Sequence, residues 1–214
     1  MVGKEIYIFG AAGFAAESAL IARQCGYHVA AFVESDAAWM PERTALELMP
    51  GDWVKIMPQS QFADSIVPGT CVAIAIADAT IARRIADQFA SVLSFPNIIH
   101  PSASVEAASI ENCGNIIYPG CIISWHAHVG RFNKFQAYVT IGHEVKIGDF
   151  NEFNPRATVS GCVTVGNGCL LGAACSVRQG LRIGDDAVVG MGAVVTNDVS
   201  DGDVVAGVPA RSLK

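Results

Sequence analysis

IGHEVKIGDFNEFNPRATVSGCVTVGNGCLLG, residues 141–172, repeats itself every six residues. Apolar side chains stand at 141, 147, 153, 159, 165 and 171, and glycine follows at 142, 148, 166 and 172. Four places after the apolar residue the side chain is mostly small or β-branched, as in Val145, Ala157, Val163, Cys169 and Cys175. Carried outward, the same step from Ile99 to Val195 meets an apolar residue at every position but one, Glu111. Neither the 3.6-residue period of a helix nor a plain alternation produces this pattern.

A six-residue period suits a triangular coil with one short strand per side and a corner after each strand. Two side chains per hexad point inward and fill the prism, and three hexads close a turn. Successive turns stack at strand spacing, roughly 4.8 Å, and pair in parallel along every side, so that only the end coils have open edges. The repeat is long enough for about six coils. In this register Cys121, Cys169 and Cys175 face inward as small hydrophobes. His143 falls two places after the inward Ile141, at a corner, with its ring outward.

The first ninety-odd residues have a different texture. IYIFG (6–10) reads as a strand ending at glycine, and the following AAGFAAESALIARQCG as a helix with a C-terminal glycine. HVAAFVESD and CVAIAIAD read as two further buried strands, and ATIARRIADQFASV as a second helix with Arg83, Arg84 and Asp87 on its wet side. Residues 37–65, with three prolines, show no pattern that assigns them. The expected organisation is a small βαβ domain over 1–95 and a coiled repeat domain over 96–214. Gly10 and Gly13 lie where backbone N–H groups at a helix start can receive a phosphate, and Glu34 lies 21 residues beyond Gly13, where a ribose or base contact is expected. One glycine of a full dinucleotide fingerprint is missing, and the domain is short for one.

Composition narrows the function. A formal net charge of −6 and scattered Lys and Arg argue against a nucleic-acid partner. The first residues lack the long apolar stretch of a signal peptide and no apolar run is long enough to span a bilayer, so no membrane partner is expected and the location is read as cytoplasmic. Seven cysteines without a C-x-x-C pair suggest neither a disulfide framework nor a metal site. His126 and His128 are spaced i, i+2 without an accompanying acidic or thiol cluster, and His28 and His100 read as structural, so no metal is expected.

FGAAG after the first strand, IIHPSA at the entry to the repeats, IGHEVKIGDF within them, VSGCVTVG after it and GVPAR at the end together resemble the bacterial sialic-acid and nucleotide-sugar acetyltransferases of the hexapeptide superfamily. That resemblance spans nearly the whole chain. It implies a small Rossmann-like α/β domain followed by a left-handed parallel β-helix, a hand opposite to the usual crossover rule, and a homotrimer with active sites between subunits. His143 matches the family's catalytic base and Glu144 the acidic residue that raises its basicity. Imidazole suits the task, since the acceptor must lose a proton as it attacks the acetyl-CoA thioester. Neighbours in an extended strand point opposite ways, so Glu144 meets His143 only if the corner turns the backbone; otherwise a carboxylate from another subunit serves.

The resemblance also implies an acetyl-CoA site at Glu152, Gly172, Ala173, Gly190 and Met191, with Arg211 near the nucleotide end. The acceptor site falls in the first domain, at Gly10, Ala12, Gly13, Phe14, Glu34, Ser35 and Ala77. Here the chain departs from its relatives, which tend to read G-x-x-G-H-G where this one has GAAGFAAE, with Phe14 and Ala15 in place of His and Gly. The implied activity is acetyl-CoA-dependent N-acetylation of an amino group on a nucleotide-activated sugar. The alternatives are O-acetylation of sialic acid or another polysaccharide precursor, a non-catalytic hexapeptide scaffold, and a nicotinamide dehydrogenase resting on the GxxG turn alone.

Overall fold

The computed structural model describes residues 4–105 and 108–214. The chain forms two compact units, Met1–His100 and Pro101–Lys214.

In the first unit, β1 (Glu5–Phe9) and β2 (His28–Glu34) run parallel and are joined by α1 (Gly13–Gln24), giving the expected βαβ element. The unassigned stretch 37–65 is regular after all. It holds β3 (Ala45–Met49) and β4 (Asp52–Pro58), joined by a tight turn at Pro50–Gly51, and then α2 (Gln59–Ser65). β4 pairs in parallel with β2 while β3 runs antiparallel to β4. With β5 (Val72–Ile74) beside β1, the sheet is five-stranded and mixed, in the order β3-β4-β2-β1-β5. Pro50 and Pro58 lie at the ends of these strands and Pro41 in a turn before β3, so the three prolines of 37–65 interrupt the pattern that sequence reading relies on without breaking a ladder.

α3 (Ala79–Phe89) starts at Asp78, whose carboxylate accepts the Ile81 N–H at 2.9 Å, and it buries Ala82, Ile85, Ala86 and Phe89. An aromatic cluster ties the layers together. Phe62 of α2 meets Phe9 edge-on at 5.3 Å and Phe89 of α3 at 6.0 Å.

The second unit is a parallel β-solenoid of about six turns built from two-residue strands. Its register confirms the period of three hexads per coil. Ile123, Ile141, Val159, Val177 and Val195 pair in succession along one side, each 18 residues from the last. Phe135, Phe153, Leu171 and Val189 do so along another, and Val129, Ile147, Val165 and Ile183 along the third. Ile110, not Glu111, pairs with Val129. The count therefore slips to five residues between Val105 and Ile110 and recovers with seven to Ile117, which is why the strict step of six lands on a glutamate there. The last turn is also irregular, with Val205 pairing Val189 only 16 residues earlier.

Corners turn at left-handed residues. One corner column runs His126, Glu144, Cys162 and Gly180, with φ of 56°, 56°, 60° and 73°. Non-glycine residues rarely adopt this region, and here Glu144 and Cys162 are held by the preceding coil: Glu144 N–H donates to Trp125 O at 3.0 Å and Cys162 N–H to His143 O at 2.9 Å.

The prism interior is mostly apolar. Phe135 stacks on Phe153 at 4.7 Å, and Cys121, Cys169 and Cys175 are at most 1% exposed, as the register required. Burial pushes the Cys169 and Cys175 thiols up to about 11. One inward column is polar. Asn115, Asn133 and Asn151 are fully buried, and each side-chain oxygen accepts the backbone N–H one coil on: Asn133, Asn151 and Cys169 at 2.8–2.9 Å. The amides of Asn115 and Asn133 donate to the carbonyls of Gly130 and Gly148, and where the column changes to Cys169 its thiol donates to Gly184 O in the same way. The ladder keeps buried polar groups paired from coil to coil.

Candidate active site

His143 and Glu144 occupy the corner between the strands Thr140–Ile141 and Lys146–Ile147. Because Glu144 takes a left-handed conformation, the two adjacent side chains leave the solenoid on the same side. Nδ1 of His143 lies 3.0 Å from Oε2 of Glu144, and the two side chains are 50% and 53% exposed. The condition placed on Glu144 by the extended-strand geometry is thus met within a single chain. A carboxylate only accepts, so Nδ1 carries the hydrogen and Nε2 is left with its lone pair.

The floor beneath the imidazole is Gly161, 18 residues on in the next coil. A Cβ at that position would stand 2.5 Å from Nε2 and 2.7 Å from Cε1 of His143, so only the missing side chain leaves room for the ring. Gly161 lies two places after Val159, outside the run of glycines at 142, 148, 166 and 172, and nothing in one sequence tied it to His143. Cys162, in the same corner column as Glu144, also reaches this spot, with Sγ 3.8 Å from Glu144 Oε2. On the preceding coil the exposed Trp125 stacks on His126 at 3.7 Å.

The residues assigned to acetyl-CoA divide. Gly172 and Gly190 are one coil apart at one corner, with Ala173 and the 81%-exposed Met191 following them. A Cβ on Gly172 would meet Met191 N at 2.5 Å, so close stacking of the coils accounts for that glycine by itself. Arg211 is exposed on a short strand antiparallel to Val204–Ala206. Glu152 differs. It is 6% exposed, and Oε1 accepts from Gln136 Nε2 at 2.8 Å.

In the first unit a cavity of about 390 Å³ opens at the carboxyl ends of β1, β2 and β5. Gly10, Ala12, Phe14, Glu34, Ser35 and Ala77 line it, whereas Gly13, the first residue of α1, does not. Gly10 has φ 103° and a Cβ there would lie 2.8 Å from Ala75 O, so the close turn requires glycine. Gln59, Ile81 and Arg84 also line it and were not read in the sequence as site residues. Arg84 had been read only as a solvated helix face. Arg43, from the unassigned stretch, donates to Ala11 O behind the same turn.

Residues 162–197 match the family described as the hexapeptide repeat of succinyl-transferase. The chain carries a hexapeptide-repeat β-solenoid. No curated protein sequence matches it. Among solved structures it is similar to a histidine-to-asparagine mutant of perosamine N-acetyltransferase from Caulobacter crescentus, and to PerB from the same organism, each in complex with CoA and GDP-perosamine, both at 24% identity over 98% of this chain and 97% of that one, with a TM-score of 0.84. It is also similar to the acetyltransferase domain of PglB from Neisseria gonorrhoeae FA1090 in complex with acetyl coenzyme A, at 24% identity, 99% and 100% coverage and a TM-score of 0.85. A further one is WeeI from Acinetobacter baumannii AYE, at 25% identity, 97% and 99% coverage and a TM-score of 0.86. The likeness therefore covers both units of the chain. Among the described residues no helix is long and apolar enough to cross a membrane.

Proposed function

We propose that the protein is an acetyl-CoA-dependent acetyltransferase that N-acetylates an amino group of a nucleotide-activated sugar in the cytoplasm, with His143 as general base. The observation that carries the reading is the His143–Glu144 pair. A carboxylate fixes Nδ1–H at 3.0 Å and so presents the Nε2 lone pair outward from a rigid corner. In the reaction Nε2 takes a proton from the acceptor amine as its nitrogen attacks the thioester carbonyl, and the imidazolium that forms is stabilised by Glu144. CoA thiolate leaves and is protonated. Similarity to solved structures that hold CoA, acetyl coenzyme A or GDP-perosamine supports the choice of co-substrate and acceptor class.

In this reading the first unit is Rossmann-like and its cavity holds the nucleotide end of the acceptor. Phe14 and Ile81 supply apolar walls, Arg84 a cation for phosphate, and Glu34 and Ser35 hydrogen-bonding groups. The solenoid is left-handed, and the chain assembles as a homotrimer with acetyl-CoA between subunits along Gly172, Ala173, Gly190, Met191 and Arg211. Glu152 acts there through Gln136 rather than by direct contact, given its burial.

The deciding experiment is release of CoA thiol from acetyl-CoA with UDP-, GDP- and dTDP-linked amino sugars and free sialic acid, comparing the wild type with His143→Ala. Turnover of an amino sugar that falls by roughly 10²–10⁴-fold in the variant is the expected result. Turnover of sialic acid alone moves the reading to O-acetylation. Failure to bind acetyl-CoA at all leaves the scaffold reading and ends the enzymatic one.

A further inference from the structure

The corner that carries His143 brings a third metal-ligating side chain to the same point. Glu144 Oε2 lies 3.0 Å from His143 Nδ1 and 3.8 Å from Cys162 Sγ, and the ligand atoms of the three residues all lie within 4.8 Å of one another. Cys162 follows Glu144 by one 18-residue coil and shares its left-handed corner conformation, so the two side chains leave the prism side by side. Backbone hydrogen bonds from Glu144 N to Trp125 O and from Cys162 N to His143 O fix this stacking.

These separations suit a tetrahedral ion. With metal–ligand distances of roughly 2.0 Å to oxygen and nitrogen and 2.3 Å to sulfur, the N···O and S···O edges of a zinc tetrahedron are about 3.3 and 3.5 Å. Both observed distances are within about 0.3 Å of those values, and one carboxylate oxygen is the vertex they share. We propose that His143, Glu144 and Cys162 form an inhibitory site for a borderline divalent cation such as Zn²⁺, with water in the fourth position. The donor set of imidazole, carboxylate and thiolate favours Zn²⁺ or Co²⁺ over Mg²⁺ or Ca²⁺, which prefer oxygen alone.

Filling the site changes the chemistry of the base. The Cys162 thiol gives its proton to solvent as sulfur binds the ion. His143 Nδ1 binds through its lone pair, so the single ring hydrogen of the neutral imidazole moves to Nε2. Nε2 then has no lone pair with which to take a proton. Metal binding itself does not depend on the acetyl-transfer reading; the loss of turnover rests on it.

The test is titration of Co²⁺ into the full chain, followed by the absorption band of thiolate-to-cobalt charge transfer. One Co²⁺ per chain is expected, with the band bleached by Zn²⁺, absent in Cys162→Ser and weakened in Glu144→Gln. Zn²⁺ affinity should fall by at least about tenfold in Cys162→Ser. In the acetyl-transfer assay Zn²⁺ should inhibit the wild type reversibly with EDTA and leave Cys162→Ser active, while Mg²⁺ does nothing. A missing thiolate band, or equal Zn²⁺ affinity in the wild type and Cys162→Ser, overturns the proposal. The band decides the matter even if no acceptor is turned over, so a wrong acceptor and a wrong metal site give different results.

Discussion

Gly161→Ala separates the position of the imidazole from the integrity of the fold. The added Cβ would lie 2.5 Å from His143 Nε2, and the three atoms nearest to it all belong to that ring. Carbon–nitrogen contact is comfortable from about 3.5 Å, so the ring must retreat by about 1 Å. It can do so cheaply, being the half-exposed end of a side chain. Gly161 has no left-handed φ, and alanine there is compatible with the backbone. Stability should therefore be unchanged or raised by about 0.4–1 kcal/mol through the unfolded chain. Displacing a base by about 1 Å lowers kcat/KM about 10²-fold, or about 2.7 kcal/mol in the barrier.

The assay is CoA-thiol release with an accepted sugar, alongside thermal unfolding. Gly142→Ala is the contrast, because its Cβ would meet backbone, Gly161 N at 2.6 Å and the Ser160 carbonyl carbon at 2.8 Å. Backbone held in a ladder yields less readily, and a stability loss of about 1–3 kcal/mol is expected there. Wild-type activity in Gly161→Ala would refute the placement of the reacting group over Nε2, and a large drop in Tm would refute the claim that only the ring has to move.

Asn133→Ala should break the internal ladder. It leaves the buried Asn151 N–H without its acceptor and Gly148 O without its donor, a loss of about 2–6 kcal/mol measurable by urea unfolding; a change below about 1 kcal/mol would remove the ladder from the account. Thiol labelling at pH 8 should modify the exposed Cys162 first and spare Cys169 and Cys175, whose protons are held to about 11. Those two thiols also make stability pH-dependent. Their folded values lie above the ordinary thiol value of 9.0, so the unfolded chain loses protons first, and stability should fall as pH rises from about 9 towards 11, checked by unfolding across that range.

The repeat was legible because one apolar position in six is imposed on every coil by the same interior. The 18-residue register, the buried cysteines and the outward placement of His143 all follow from counting. Where the coil departs from its period, counting fails, as at Ile110 and in the closing turn at Val205. Residues 37–65 were illegible for another reason. β3 is half-exposed and β4 buries the adjacent Ile56 and Met57, so neither shows a clean alternation, and it is pairing of β4 with β2 and of β3 with β4 that makes them strands.

The sequence by itself determined that a period of six would close a prism, that a βαβ element with a glycine turn would precede it, and that one histidine stood at a corner with an acidic neighbour. Tertiary structure decided what that corner contains. A left-handed residue turns Glu144 back onto His143, and the 18-residue stacking sets Gly161 beneath the ring and Cys162 beside the carboxylate. Packing in the solenoid took Glu152 off the surface, and the placement of α3 in the first unit put the exposed Arg84 at the rim of a cavity. Each of these is a meeting of residues distant in the chain or turned by a single dihedral, and hydrophobic periodicity records which side of a strand is buried, not which neighbour arrives from the next coil.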